Sequence, residues 1–237
     1  MQALIFDFDG LILDTETPDF QSWQEIYAAH GAELTMDIWA DCVGRPAHVF
    51  DAHTHLEGLL GQALDRFEVR AQRWLRFAEL LEAQSLLPGV ESYVTEARRL
   101  GLRASVASSA PRSWVEHHLE RLGLLAQFDC LRCVEDVTHA KPHPELYQSA
   151  LTALGVEPIR AIAFEDSPNG AQAAKRAGLY CVAVPNAVTR QLLIDHADLV
   201  LNSLADLTLP ELLSKVESEE GRLNPNSRSD TIPRIDE

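Results

Sequence analysis

Three carboxylates lie close together near the start of the chain, in the stretch FDFDGLILDT. They are Asp7, Asp9 and Asp14, and large apolar residues separate them. An aspartate is ionised at pH 7 and can attack phosphorus, while a second carboxylate nearby can exchange a proton with the leaving oxygen and with water. Asp-Gly between alternating apolar residues also favours a two-residue β-hairpin turn. Taken alone, the stretch leaves open both a hairpin and a reactive site.

The elements that must position these residues are short apolar strands that alternate with helical patterns. Helices are predicted over residues 91–100, 114–122, 144–154 and 170–177. The strands are predicted at 3–6, 103–107, 130–134, 161–164, 181–184 and 199–201. Buried strands that alternate with helices indicate an α/β fold, a doubly wound parallel sheet of the Rossmann-like kind.

A helical segment interrupts this rhythm after the first strand. From about residue 18 to residue 83, aromatic and aliphatic residues recur at helical spacing, and LLPGV then breaks the pattern. We therefore expect a discontinuous core of residues 1–15 and 86–213 with a small helical cap, 16–85, inserted in it. Past about Ser214 the chain turns polar, and residues 214–237 are expected to be a flexible tail.

In doubly wound sheets, ligands bind outside the carboxyl ends of the strands, so the residues just after each strand are the informative ones. These residues, together with the loop HAKPHP, form one candidate set: Asp7, Asp9, Ser108, Ser109, Lys141, Glu165 and Asp166.

The set has a chemical logic in phosphoryl transfer. A carboxylate that approaches a phosphate dianion is repelled, so a divalent cation and a lysine are needed to neutralise charge. Asp7 and Asp166 offer hard oxygen ligands for Mg²⁺. Lys141 is expected to hold the phosphoryl oxygens, and the Ser108 hydroxyl to donate to one of them. Asp9, two residues from the nucleophile Asp7, is placed to act as general acid and base.

Four segments carry a family resemblance. DFDGLILDT, VASS, AKPHP and FEDSPNG resemble, in order, the four motifs of the haloacid dehalogenase superfamily, and the helical insertion resembles its cap. The resemblance implies Asp7 as nucleophile, Asp9 as general acid/base, and Ser108 and Lys141 as phosphate ligands. It implies Mg²⁺ on Asp7, the Asp9 carbonyl and Asp166, with help from Glu165. It also makes the hairpin and the site compatible, because residues after the nucleophile fold as a small flap in this family. Further phosphate or substrate contacts are expected at Phe8, Gly10, Thr15, Asp19, Arg45, Ser109 and Asn169.

Within the superfamily, the chain is most similar to β-phosphoglucomutase and the small sugar-phosphate phosphatases. Mutases of this kind carry a histidine in the pattern DTxxxH, whereas this sequence reads DTETPD, with Asp19 in that place. Because that histidine is implicated in restraining hydrolysis, a phosphatase is favoured. A sugar phosphomutase and a non-catalytic phosphate-binding or phospho-aspartate regulatory protein remain the alternatives, and a dehalogenase is disfavoured.

Composition limits the partners. The formal net charge of -16 argues against nucleic acid and against anionic membranes as partners. Four cysteines in 237 residues do not form a disulfide framework, and no signal peptide is recognised at the start of the chain. We expect a cytoplasmic monomer that acts on a small phosphorylated metabolite.

Several other residues are expected to be structural rather than functional. His53, His55, His117 and His118 are interpreted as surface histidines. The aromatic group Trp23, Tyr27, Trp74 and Phe77 is interpreted as the core of the cap rather than a surface for stacking sugars.

Overall fold

The computed structural model describes residues 1–40 and 50–223. The chain forms two compact units, Met1–Asp206 and Leu207–Glu237. The first contains six strands: β1 (Ala3–Phe6), β2 (Arg103–Ala107), β3 (Cys130–Arg132), β4 (Ala161–Glu165), β5 (Tyr180–Ala183) and β6 (Leu199–Val200). Its helices are α1 (Glu16–Ala29), α2 (Met36–Ala40), α3 (Ala52–Leu60), α4 (Arg66–Glu82), α5 (Val90–Arg99), α6 (Arg112–Arg121), α7 (Glu145–Leu154) and α8 (Pro168–Arg176).

The strands form one parallel sheet in the order β3-β2-β1-β4-β5-β6. The α/β prediction is confirmed, and the strand ends lie within two residues of the predicted bounds. β1 lies in the middle, with Phe6 opposite Val106 of β2 and Phe164 of β4. Because the strand order reverses beside β1, the residues that follow β1, β2 and β4 meet at one edge of the sheet.

Helices cover both faces of the sheet, which explains why its strands are apolar throughout. On one face, α7 and α8 pack on β1 and β4 through a cluster that includes Ile5, Leu146 and Ala163. On the other face, Tyr93 of α5 meets the ring of Phe164 edge-on, with the ring centroids 5.6 Å apart. The central strands are therefore rigidly held at the point where the candidate residues begin.

The helices α1 to α4 pack around a second apolar cluster, to which Val188 after β5 also belongs. Tyr27 is fully buried in it, and its hydroxyl donates to the carbonyl of Ala52. His53 lies on the buried side of α3 and is 1% exposed, so its interpretation as a surface residue is wrong. His53 and His55 lie two residues apart on α3 and therefore face different sides of the helix. His53 is the more deeply buried of the two, and it contacts Glu57 on the next turn of α3.

The second unit contains helix α9 (Leu209–Leu223), which corrects the prediction of a polar tail from Ser214. Apolar residues at Leu209, Leu212 and Val216 keep a helical spacing across that position, and the intervening polar residues hid this pattern. Residues 224–237 lie outside the described residues. Among the described residues, no helix has the length and apolar character needed to cross a membrane.

Candidate active site

A buried lysine joins two carboxylates at the carboxyl edge of the sheet. Lys141 Nζ lies 2.6 Å from Asp7 Oδ1 and 2.7 Å from Glu165 Oε1, and the lysine side chain is 6% exposed. Burial by itself lowers the pKa of Lys141, but the two carboxylates outweigh burial and raise it above its ordinary value. Tyr147 also donates to Glu165. Lys141 is therefore a fixed buried cation rather than a solvated loop residue.

Asp9 lies beside this group in a second set of contacts. Its Oδ1 accepts from Trp114 Nε1 at 2.9 Å, and its Oδ2 lies 3.4 Å from Ser108 Oγ. Burial raises the pKa of Asp9 to about 6, with a further contribution from the charge of Asp7. A carboxyl group with a pKa close to neutral can both donate and accept a proton, as a general acid/base must.

The loop after β1 is a tight turn around Asp9 and Gly10, but Asp9 lacks the positive φ that the two-residue Asp-Gly hairpin turn requires. The backbone carbonyl of Phe8 accepts from the N–H groups of Leu11, Ile12 and Leu13, and the N–H of Gly10 donates to Leu13 O at 2.8 Å. Gly10 has a φ of +76°. The bridge between Asp9 and Leu13 is parallel, so the stretch forms a compact turn directly after Asp9 and not the antiparallel hairpin that its pattern favours.

Gly10 also lies against the next part of the site. Its carbonyl accepts from Asn186 Nδ2, and the same amide nitrogen donates to Asp166 Oδ2 at 2.8 Å. A Cβ at Gly10 would lie 2.2 Å from Asp166 Oδ2 and 2.6 Å from Asn186 Nδ2. Only glycine allows the loop to approach these side chains this closely.

We predict that Gly10→Ala lowers the free energy of unfolding by about 2 to 5 kcal/mol, from a left-handed backbone and an overpacked contact. Gly31→Ala is the matched control, because Gly31 has a φ of +72° and a Cβ there would have no neighbour within 4 Å. That control is expected to lose only the backbone part, about 1 to 2 kcal/mol. Urea denaturation measures both, and equal losses would show that the contact with Asp166 carries no weight.

Three buried carboxylates could hold a divalent cation. Asp7, Glu165 and Asp166 each offer an oxygen, and these oxygens lie within 4.8 Å of one another. Burial, and then the charge of Asp7, raise the pKa of Glu165 to about 7 and the pKa of Asp166 well above its ordinary value. Glu165 Oε2 is buried and has no hydrogen-bond partner among the described residues. Hard oxygen ligands with excess negative charge fit Mg²⁺.

Helix α8 begins directly after Asp166, but Asp166 does not cap it. Ser167 caps the helix, because its Oγ accepts from the N–H of Gly170, and Pro168 occupies the first turn. Asp166 precedes the cap and is 2% exposed. Its carboxylate is therefore available to the site.

A cavity of about 670 Å³ opens beside Asp9. One wall comes from α1 and α4, where Asp19 forms an ion pair with Arg73. The opposite wall comes from the β2–α6 region, where the ring of Trp114 lies nearly parallel to that of Phe77, at 11°. The lining residues are Asp9, Asp19, Arg73, Trp74, Phe77, Ala110, Pro111, Ser113, Trp114 and His117.

The aromatic residues of the helical segment divide between core and cavity. Tyr27 is buried as expected, but Trp74 is 54% exposed and lines the cavity together with Phe77. The interpretation of Trp74 as cap core is therefore wrong. Helical spacing placed it on the helix, but only the packing of α4 decides whether that face is covered.

The structure brings together Asp7, Asp9, Ser108, Lys141, Glu165 and Asp166. The other predicted contacts vary. Phe8 is fully buried, so only its backbone can face a ligand. Thr15 is buried at the start of α1, whereas Ser109 is exposed. Asn169 is partly buried in the first turn of α8. Arg45 lies outside the described residues.

Four residues of the site were missed from the sequence. Asn186 follows β5 closely, so its position after a strand could have identified it. Glu16 follows the first motif directly, and burial, with the charges of Asp9 and Asp14, raises its pKa to about 7. Trp114 and Arg73 carried no such signal, because their contacts with Asp9 and Asp19 join distant parts of the chain.

His118 is buried behind Phe8 and Trp114, so its interpretation as a surface residue is wrong. It is 4% exposed, and its ring packs near Phe8 and edge-on against Trp114. Neither ring nitrogen has a hydrogen-bond partner among the described residues. Burial, and then the charges of His117 and Arg121, lower the pKa of His118 to about 4.

We predict that His118 makes the protein less stable as the pH falls from about 6.5 to about 4. The unfolded chain takes up a proton in this range and the folded chain does not, so unfolding is favoured by up to about 3 kcal/mol. His118→Phe is expected to lack this component. Denaturation of both proteins across this pH range measures the difference, and an identical pH dependence would contradict the prediction.

The chain is similar to known proteins over most of its length. A family model described as haloacid dehalogenase-like hydrolase matches residues 4–184. The protein YhcW of Bacillus subtilis (strain 168), provisionally named a phosphatase, is 44% identical over 219 residues, which cover 92% of this chain and 99% of the relative. Hexitol phosphatase B of Escherichia coli (strain K12) is 33% identical over 215 residues, 89% of this chain and 96% of the relative.

A solved structure agrees with the sequence relatives. A mutant of CbbY from Rhodobacter sphaeroides, in complex with xylulose-(1,5)bisphosphate, superposes with a TM-score of 0.67. It is 30% identical, and the match covers 90% of this chain and 99% of that one. The similarity extends across the helical segment as well as the sheet.

Proposed function

This chain belongs to the haloacid dehalogenase-like hydrolases, and we propose that it is a Mg²⁺-dependent phosphatase of a small phosphorylated sugar or polyol, acting through an aspartyl-phosphate. The observation that carries the proposal is the contact of the buried Lys141 with Asp7, next to an Asp9 whose pKa is near 6. A nucleophile beside a fixed cation, with an acid/base close by, suits hydrolysis of a phosphomonoester.

Asp7 is the proposed nucleophile. One of its oxygens attacks phosphorus, the bond from phosphorus to the leaving oxygen breaks, and the phosphoryl group is carried on Asp7. Lys141 holds the nucleophile through its 2.6 Å contact and offsets negative charge on the phosphoryl oxygens. Ser108, at the end of β2, donates to one of those oxygens.

Asp9 is the proposed acid and base. In its neutral form it gives a proton to the leaving oxygen, and as a carboxylate it then takes a proton from the water that attacks the phosphoenzyme. Its pKa of about 6 leaves both forms accessible near neutral pH. Trp114 donates to Oδ1 at 2.9 Å and Ser108 donates to Oδ2 at the longer distance of 3.4 Å, so the less firmly held Oδ2 is the oxygen proposed to exchange the proton.

Asp7 and Asp166, with the Asp9 carbonyl, are the proposed ligands of Mg²⁺, and Glu165 contributes from the same cluster. When bound, the ion supplies positive charge that screens the phosphate from the carboxylates.

The helical segment, 16–85, is the proposed cap over a core formed by 1–15 and 86–213. Asp19 and Arg73 of this segment line the cavity beside Asp9. Their ion pair has no net charge, and it offers hydroxyl groups an acceptor on Asp19 and a donor on Arg73. The flanking faces of Trp74 and Trp114 suit the C–H surfaces of a sugar. The names of the relatives, hexitol phosphatase and a protein bound to xylulose bisphosphate, agree with a polyhydroxylated substrate.

A phosphomutase is the second candidate, and Asp19 favours the phosphatase over it. Asp19 stands where the mutase pattern has a histidine, and here it forms an ion pair with Arg73. A sugar bisphosphate would also need a second anion site in the cavity, and Arg73 in the cavity wall is already paired with Asp19.

We predict that Trp114→Phe lowers kcat for a sugar phosphate by about 10- to 100-fold, with a small change in KM, because Asp9 loses a charge-assisted hydrogen bond. Trp39→Phe is the matched control: Trp39 is buried among α1 to α3, and its Nε1 has no hydrogen-bond partner among the described residues. Steady-state kinetics of both variants provide the measurement. A rise in KM with an unchanged kcat would show that Trp114 contacts the substrate without orienting Asp9.

The proposed function is tested by phosphate release from a panel of hexose, pentose and hexitol phosphates and unrelated phosphomonoesters, with Mg²⁺ and with EDTA. Release that requires Mg²⁺ and is fastest on polyhydroxylated substrates supports the proposal. Interconversion of a hexose phosphate on addition of a bisphosphate would support the mutase, and binding of phosphate without turnover would support a regulatory protein.

A further inference from the structure

A second group of metal-binding side chains lies in the loop that carries Lys141. The sequence HAKPHPE places His139, His143 and Glu145 on both sides of that lysine. Glu145 Oε1 lies 2.8 Å from His139 Nδ1 and 3.3 Å from His143 Nδ1. One ligand atom from each of the three residues lies within 4.8 Å of the others.

Backbone contacts hold this group in place without a metal. The other oxygen of Glu145, Oε2, accepts from the N–H groups of Thr138 and His139, at 2.7 and 2.9 Å. The N–H of His143 donates to Ala140 O, and Arg176 donates to Pro142 O. The loop is thus folded back on the first residue of α7, with one carboxylate oxygen, Oε1, directed at both imidazoles.

The donor set selects among metals. Two imidazoles and one carboxylate suit Zn²⁺, whereas Mg²⁺ prefers oxygen ligands alone. Ligand atoms of a tetrahedral zinc ion, about 2.0 to 2.2 Å from the metal, lie roughly 3.4 Å apart. The distances of 2.8 and 3.3 Å around Glu145 Oε1 are therefore close to those needed, and a small expansion admits the ion.

We propose that His139, His143 and Glu145 form a Zn²⁺ site, with water as the fourth ligand, that fastens the loop carrying Lys141. The side chains of His139 and His143 are 62% and 46% exposed, so a metal ion can enter from solvent. Glu135 lines the surface groove that also contains Glu145, and its charge favours a cation there, whereas Asp136 in the same groove is paired with Arg112. The site is separate from the carboxylates proposed for Mg²⁺ and does not depend on the proposed function.

The test is Zn²⁺ binding to the full chain in excess Mg²⁺, which keeps the carboxylates of the other group occupied. Isothermal titration with ZnCl₂ counts the sites, and Co²⁺ absorption reports tetrahedral coordination. The variants are His143→Gln and the double variant His139→Gln/His143→Gln. His196→Gln is the matched control, because His196 is also a partly exposed histidine beside a carboxylate, that of Asp195.

We expect one equivalent of Zn²⁺ at micromolar Kd in the wild type and in His196→Gln, at least tenfold weaker binding in His143→Gln, and loss of that equivalent in the double variant. Zn²⁺ is also expected to slow hydrogen exchange at the amides of Thr138 and His139, which donate to Glu145. Equal binding by all four proteins, or binding by the wild type only at millimolar Zn²⁺, would overturn the proposal. All three readouts are independent of turnover, so an inactive preparation still tests the site.

Discussion

Asp7→Asn is expected to lower kcat about ten-thousandfold or more, because the amide cannot form the phosphoenzyme and no second nucleophile replaces it. The substitution is not expected to unfold the protein. The charge of Asp7 contributes to the raised pKa values of Asp9, Glu165 and Asp166, so its removal relieves repulsion within a buried group. Steady-state phosphate release and urea denaturation of the same preparation separate the two effects.

Asp65→Asn is the matched control for this substitution. Asp65 caps α4 by accepting from the N–H groups of Phe67 and Glu68, and asparagine is an equally good helix cap. Full activity is expected in the control. If Asp7→Asn retained more than about a hundredth of the wild-type kcat, Asp7 would not be the nucleophile.

Lys141→Met is expected to have the second largest effect, on stability as well as on activity. It leaves Asp7 and Glu165 buried without their cation, which typically costs about 3 to 5 kcal/mol. The activity loss is expected to be about 10²- to 10³-fold, because transition-state charge loses its fixed partner. Lys175→Met is the control, since Lys175 pairs with Asp198 at the surface, where such a pair contributes less than about 1 kcal/mol.

The stability loss in Lys141→Met is expected to depend on pH. In the wild type the pKa of Glu165 is raised to about 7, so the folded chain binds this proton more tightly than the unfolded chain. Stability from this group therefore rises as the pH falls from above 7 toward 4.5, and without the lysine charge the rise is larger. Denaturation in EDTA at pH 8 and pH 6 should show a smaller deficit at pH 6. A deficit equal to that of Lys175→Met at both values would contradict the burial argument.

The sequence was sufficient for the sheet and for the residues at the ends of its strands. β1 and β4 are short, wholly apolar segments up to their last residues, and in a parallel sheet their carboxyl ends meet, so Asp7 and Asp166 could be placed together from the pattern alone. Helix α9 was harder to predict, because many charged residues lie between the apolar residues of its one apolar side.

The contacts across the cavity could not be predicted in the same way. Trp114 donates to a carboxylate 105 residues away in the chain, and this contact depends on how α6 packs against the loop after β1. Arg73 meets Asp19 only because α4 packs along α1. The periodicity of apolar residues predicts which side of a helix is buried, but not which other element packs against that side. The residues of the cavity wall could therefore be identified only from the structure.

The central claim is that Asp7 carries the phosphoryl group and that Asp9 helps water to remove it. The most direct test is rapid mixing of Asp9→Asn with p-nitrophenyl phosphate and Mg²⁺, since nitrophenolate leaves without needing a proton from an acid. We predict a burst of one nitrophenolate per enzyme, slow turnover afterwards, and a phosphoryl group on the peptide that contains Asp7. The double variant Asp7→Asn/Asp9→Asn should show neither. Turnover without a burst, or the same labelled peptide in the double variant, would contradict the account.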